Sequence, residues 1–117
     1  MPWVNIITAR KLTQTELGTV NTGITAALVA HAGKKPGDVF LTVARPETFL
    51  WGGERSDDAA IFEVRWLGDF SLQAKRAITR IVATEVAPAV GLAPDRVRVI
   101  FSTYPTADWG RNRGDYS

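Results

Sequence analysis

Gly33-Lys34-Lys35-Pro36-Gly37-Asp38-Val39 and Gly91-Leu92-Ala93-Pro94-Asp95-Arg96-Val97 read as one turn written twice. In each, glycine is followed by proline three residues on and by valine three further. Glycine past the end of a helix takes the left-handed conformation that closes it. The proline cannot continue the helix. The valine opens an alternating strand. The turn therefore ends a helix and starts a strand at two places, which makes the chain an internal repeat.

Working outward, residues 2–8 form a strand, with Val4 and Ile6 on one side and Trp3, Asn5 and Ile7 on the other. Thr13-Gln14-Thr15-Glu16 is a capping box that starts a helix at Thr13. Leu17, Val20, Ile24 and Leu28 form its apolar stripe, and it runs to about Ala32. Residues 38–45 are a second strand, and a loop spans Pro46 to Asp58. Residues 59–67 are a third strand: Ala60, Phe62, Val64 and Trp66 point one way, Ile61, Glu63, Arg65 and Leu67 the other. Ser71 caps a second helix striped by Ala74, Ile78, Ile81, Val82 and Val86, which bends or ends near Ala87 ahead of Pro88. Residues 96–103 are a fourth strand, and a tail runs from Tyr104 to Ser117.

Two right-handed β-α-β units give an α+β fold: a four-stranded mixed sheet with two helices on one face, in one domain over residues 1–117. The other face carries Glu63, Arg65, Arg98 and Ser102 beside Trp3, Ile7, Ile61, Leu67 and Ile100. Such a face is too apolar for water and predicts self-association.

Composition narrows function. The chain has 117 residues, no cysteine and one histidine, which excludes disulfides, thiolate metal sites and multi-histidine sites. No cofactor is expected. No apolar run reaches a membrane span and no signal peptide is visible, so the expectation is a cytoplasmic protein off the membrane. Ten arginines against four lysines leave a net charge of +2 and no basic stripe for nucleic acid. Arginines in a pocket, suited to a small carboxylate substrate, are the expected use.

The first residues bear directly on chemistry. In Met1-Pro2-Trp3-Val4-Asn5-Ile6, removal of Met1 would leave Pro2 as a secondary amine at the tip of a strand. An α-amino group titrates near about 7.7–8.0. Apolar walls or nearby cations lower that value, making a general base or a nucleophile at neutral pH.

Taken in order, Met1-Pro2, Gly33-Lys34-Lys35-Pro36, Phe49-Leu50-Trp51-Gly52-Gly53, Pro94-Asp95-Arg96-Val97 and Asp108-Trp109-Gly110-Arg111 resemble the tautomerase superfamily over nearly the whole chain. They look like the full-length branch that includes macrophage migration inhibitory factor and the cis-3-chloroacrylic acid dehalogenases. The resemblance implies a homotrimer, sheets lining its centre, and a pocket shared between subunits around a catalytic Pro2. It implies substrate contacts from Lys34, Leu67, Trp109, Arg111 and Tyr116, with Arg98 reaching in from the next subunit. Against the dehalogenases, His31 matches a substrate-contacting histidine, and Asp108 falls where they carry a water-activating glutamate. Their arginine pair before the second helix is absent from Leu67-Gly68-Asp69-Phe70-Ser71, and Ile100 replaces a polar pocket residue.

Plainer roles stand beside these. Arg98 could pair with Glu63, Lys34 could complement a helix dipole, and His31 could be packed in the last helical turn. Trp51 and Trp109 could pack at an interface, and Asp108 could pair with Arg111 or Arg113. The functional expectation is keto–enol tautomerisation of a small 2-oxo acid such as phenylpyruvate, with Pro2 as base. The alternatives are hydration, dehalogenation or decarboxylation of a three-carbon acid with Asp108 activating water, and a non-catalytic binding or signalling protein.

Overall fold

The structure is a computed structural model and describes residues 2–112 and 114–115. The central sheet holds four strands: β1 (Pro2–Ile7), β2 (Phe40–Ala44), β5 (Ala60–Leu67) and β6 (Val97–Tyr104), in the order β2-β1-β5-β6. β1 pairs with β2 in parallel and with β5 antiparallel, and β5 pairs with β6 in parallel. The two repeats thus lie side by side as parallel pairs joined along an antiparallel seam, which makes the sheet mixed, as the repeat requires.

Both helices form for the local reasons the sequence states. α1 (Gln14–Ala32) begins at Thr13, whose side chain accepts from the Glu16 backbone while the Glu16 carboxylate accepts from the Thr13 backbone. It ends at Gly33, with φ of 64°, a conformation in which any Cβ would be strained. α2 (Leu72–Ile81) begins at Ser71, whose hydroxyl accepts from the Ala74 backbone. It passes into a π-helical turn over Val82–Val86 and a 3-10 turn over Pro88–Val90. Pro88 has no N–H to extend the ladder, so the change of winding falls where the sequence places the break.

The core is the layer between helices and sheet. Val4, Ile6, Phe62, Val64 and Trp66 meet Val20, Ile24, Ala27 and Leu28 from α1 and Ile78, Val82 and Val86 from the second helical stretch. Gly23 lets the helices approach: a Cβ there would lie 2.8 Å from Cγ2 of Val86. The opposite face is open in the single chain, and Phe40 and Ile100 are half exposed on it.

Two stretches expected to be irregular contain short hairpins. β3 (Leu50–Trp51) pairs with β4 (Glu54–Arg55) inside the 46–58 loop. Gly52 and Gly53, both at positive φ, close this tight turn. β7 (Gly110–Arg111) pairs with β8 (Gly114–Asp115) in the tail. Among the described residues no helix is long and apolar enough to cross a membrane.

Candidate active site

Pro2 is the first residue of β1, fully buried, and its partner across the antiparallel seam is Trp66. Trp66 is held on three sides. Its Nε1 donates to the carbonyl of Asp69 at 3.1 Å, Phe70 meets its ring edge-on at 3.9 Å between centroids, and Nζ of Lys34 sits 4.3 Å from its ring centroid. Gly33 ends α1 just where Lys34 can reach this ring. The cation therefore lies over the residue that faces Pro2, and a fixed cation near an amine disfavours its protonated form. Lys34 is thereby tied to an aromatic ring as well as to a helix end.

On the opposite face at the same end of the sheet is a cavity of about 380 Å³ whose walls include Trp3, Phe40, Arg65, Tyr104, Asp108 and Trp109. The register explains why these residues converge. Trp3 pairs with Phe40 on one side and Arg65 on the other. Tyr104 pairs with Leu67, one step beyond the Trp66 that faces Pro2. The cavity therefore lies at the end of the sheet where β1 begins, the end at which removal of Met1 would free the Pro2 nitrogen. A 3-10 turn over Thr106–Asp108 carries Asp108 and Trp109 back to form the far wall, where Trp109 meets Tyr104 edge-on at 6.3 Å. A larger groove of about 720 Å³ lies beyond the other end of β1, beside Arg10, Lys11 and Arg45. It has no aromatic wall and contains none of the candidate site residues of the sequence, so the smaller cavity is the better candidate.

Pro2, Lys34, Leu67, Asp108 and Trp109 thus gather at one end of the sheet, with Leu67 buried at the end of β5. Arg98 does not join them. It pairs in register with Ile61, five residues from Trp66 along β5, which is about 17 Å at strand rise. Its guanidinium lies 4.7 Å from the Trp51 ring, and it donates to the carbonyls of Asp95 and Val97. Arg96 covers the same ring at 4.5 Å and donates to Ser56 and Asp58. The hydroxyl of Ser56 holds the Asp58 carboxyl below its usual range, with Arg96 adding to the effect. Arg98 belongs to this second corner of the chain and can serve the cavity only from another copy.

The remaining expectations divide. Within one chain Glu63 bonds Asn5 and Arg65 rather than Arg98. His31 is exposed on the last turn of α1, which corrects the reading of it as a packed side chain: the helix turns it outward, past the stripe that Leu28 closes. Arg111 is exposed in β7. Tyr116 lies outside the described residues. The sequence reading left out Trp3, Phe40, Arg65 and Tyr104 as cavity residues. All four stand on the open face by alternation, but only the register across four strands brings them to one end.

The fold is that of the tautomerase superfamily. No family model and no curated protein matches the sequence; the likeness is to solved structures. N1, a member of the cis-3-chloroacrylic acid dehalogenase family, superposes with a TM-score of 0.87 at 13% identity, over 98% of this chain and 83% of its own. A wild-type fused 4-OT asymmetric trimer gives 0.87 at 14% identity, over 97% and 95%. Malonate semialdehyde decarboxylase, solved in wild-type, mutant and inactivated forms, gives 0.76 at 22% identity, over 96% and 92%.

Proposed function

We propose that this chain is an amino-terminal-proline tautomerase that interconverts the keto and enol forms of a small 2-oxo acid. The observation that carries it is the placing of Pro2: buried at the strand tip, paired across the seam with a tryptophan that bears a lysine cation, at the end of the sheet whose other face holds an aromatic cavity with one arginine among the described residues. Once Met1 is gone, the amine takes the proton from the carbon beside the carbonyl and delivers it to the carbonyl oxygen, giving the enol, and the reverse path restores the ketone. Cationic groups stabilise the enolate that forms between the two steps. The aromatic walls exclude water and strengthen those charges.

The working unit we propose is a homotrimer. The open face of the sheet presents Phe40 and Ile100 to water, and Arg98 meets a cavity only if a neighbour's cavity comes to it. The fused 4-OT neighbour was solved as a trimer. The reaction is tested by following phenylpyruvate enolisation with protein whose N-terminus is established by intact mass. Turnover by Pro2-started protein, lost in Pro2→Ala, supports the reading; turnover that survives Pro2→Ala ends it. Asp108 in the cavity wall favours one second reading, water addition to a three-carbon acid, which would show as turnover of halo- or oxo-propenoates lost in Asp108→Asn.

A further inference from the structure

The cavity contains a cation that the reading above leaves unassigned. Arg65 is the only arginine in its wall among the described residues. Its guanidinium carbon lies 4.3 Å from the Trp3 ring centroid, a stack that fixes the plane of the fork without using its N–H donors. Among the described residues its carboxylate contact is Glu63, from Nη2 to Oε2 at 3.4 Å, longer than a well-formed charged hydrogen bond.

That slack has a structural cause. The Glu63 carboxylate is also held on the other side, where Asn5 Nδ2 donates to Oε1 at 3.1 Å. Asn5 accepts in turn from the Thr42 hydroxyl at 2.8 Å, and Thr42 accepts from the Trp3 indole at 2.7 Å. The contacts close a ring, Trp3–Thr42–Asn5–Glu63–Arg65–Trp3, across β2, β1 and β5. The ring pins Trp3, which follows Pro2 directly, and holds the guanidinium at the cavity wall. Among the described residues, most of the five donors of Arg65 remain for a ligand.

We propose that Arg65 is the carboxylate-binding residue of this cavity and that the cavity selects a monocarboxylate bearing a flat aromatic group. Trp3, Phe40, Tyr104 and Trp109 supply faces and edges for the ring. Asp108 on the far wall disfavours a second carboxylate. The assignment rests on the proposed function only in taking the cavity as the substrate site, and it differs from the clamp that the family resemblance places at Arg98 and Arg111. Arg65 binds and orients; Pro2 moves the proton.

Calorimetric titration of the full chain with 3-phenylpropanoate and with 3-phenylpropanol tests the binding apart from the chemistry. The wild type should prefer the carboxylate by roughly 10- to 100-fold, the range of a charge-assisted hydrogen-bonded pair. Arg65→Gln should reduce that preference to within about threefold, and Arg65→Lys, which keeps the charge and loses the fork, should fall between. For phenylpyruvate, Arg65→Gln should raise KM by a similar factor with a smaller effect on kcat. A wild type indifferent to the carboxylate, or a preference intact in both variants, overturns the assignment. A carboxylate preference in a wild type that turns nothing over leaves Arg65 in place and removes the tautomerase reading instead.

Discussion

Replacing Trp66 by phenylalanine tests whether the residue facing Pro2 is built as described. Three contributions change. The Trp66 hydrogen bond to the Asp69 carbonyl, 3.1 Å long, is lost; Asp69 is exposed, so its carbonyl can bond water, and the cost stays near about 1 kcal/mol. The Lys34 cation, 4.3 Å from the ring centroid, meets a poorer π face, at a cost of about 0.5 kcal/mol. A smaller ring at a site only 3% exposed gives up on the order of 1 kcal/mol of burial at about 25 cal/mol per Å². Together Trp66→Phe should destabilise by roughly 2–3 kcal/mol, or about 8–12 °C in Tm for a chain of this size. Urea and thermal melts followed by circular dichroism read this directly. All variants are compared at one protein concentration, because the proposed assembly would couple stability to concentration. Lys34→Met, which keeps the stem and removes the charge, completes a double-mutant cycle whose coupling should be about 0.5–1 kcal/mol. A Trp66→Phe loss under about 0.5 kcal/mol, or a coupling indistinguishable from zero, would refute the account of Lys34 as a cation seated on this ring.

Other outcomes follow from the same structure. With Met1 removed, kcat/KM for phenylpyruvate should fall as pH drops through the Pro2 amine pKa, because protonation consumes the base; a flat acidic limb would count against proton abstraction by Pro2. Thr13→Ala should cost about 0.5–2 kcal/mol by removing the cap of α1, measured by urea melts. The Glu16 carboxyl is held below its usual range, first by the Thr13 backbone hydrogen bond. A lowered folded-state pKa contributes stability above the unfolded value and loses it as pH falls through the folded one, so the wild type should lose this small contribution on acidification, and Thr13→Ala, which keeps the backbone N–H, should retain most of that acid dependence. Ile100→Glu, placed at a half-exposed position of the open face, should yield a smaller species in light scattering at unchanged helix content; an unaltered mass would argue against assembly through that face.

Some of this protein can be read from a few neighbouring residues. The cap at Thr13, the stop at Gly33, the cap at Ser71 and the break before Pro88 all act within four or five residues of sequence, and each stands where the sequence places it. Alternation likewise assigned β1, β5 and β6 to their two faces, since a strand has period two whatever its partner. The short hairpins at Leu50–Arg55 and Gly110–Asp115 went unread because two-residue strands carry no periodicity. The packed reading of His31 failed because its helical position falls near the apolar stripe but one turn too late to reach the sheet.

The sequence by itself determined the repeat, the elements, the layer of helices over a mixed sheet, and the proline at the strand tip, because each depends on local backbone preference and hydrophobic period. Only the tertiary structure decided which charged residues share the proline's end. Arg98 and Arg65 look alike in sequence, both arginines on the open face of an alternating strand. The antiparallel seam between β1 and β5 sets Arg65 beside Trp3 and leaves Arg98 about 17 Å from the Trp66 that faces Pro2. That register is fixed by pairing between residues some sixty positions apart, which no local pattern encodes.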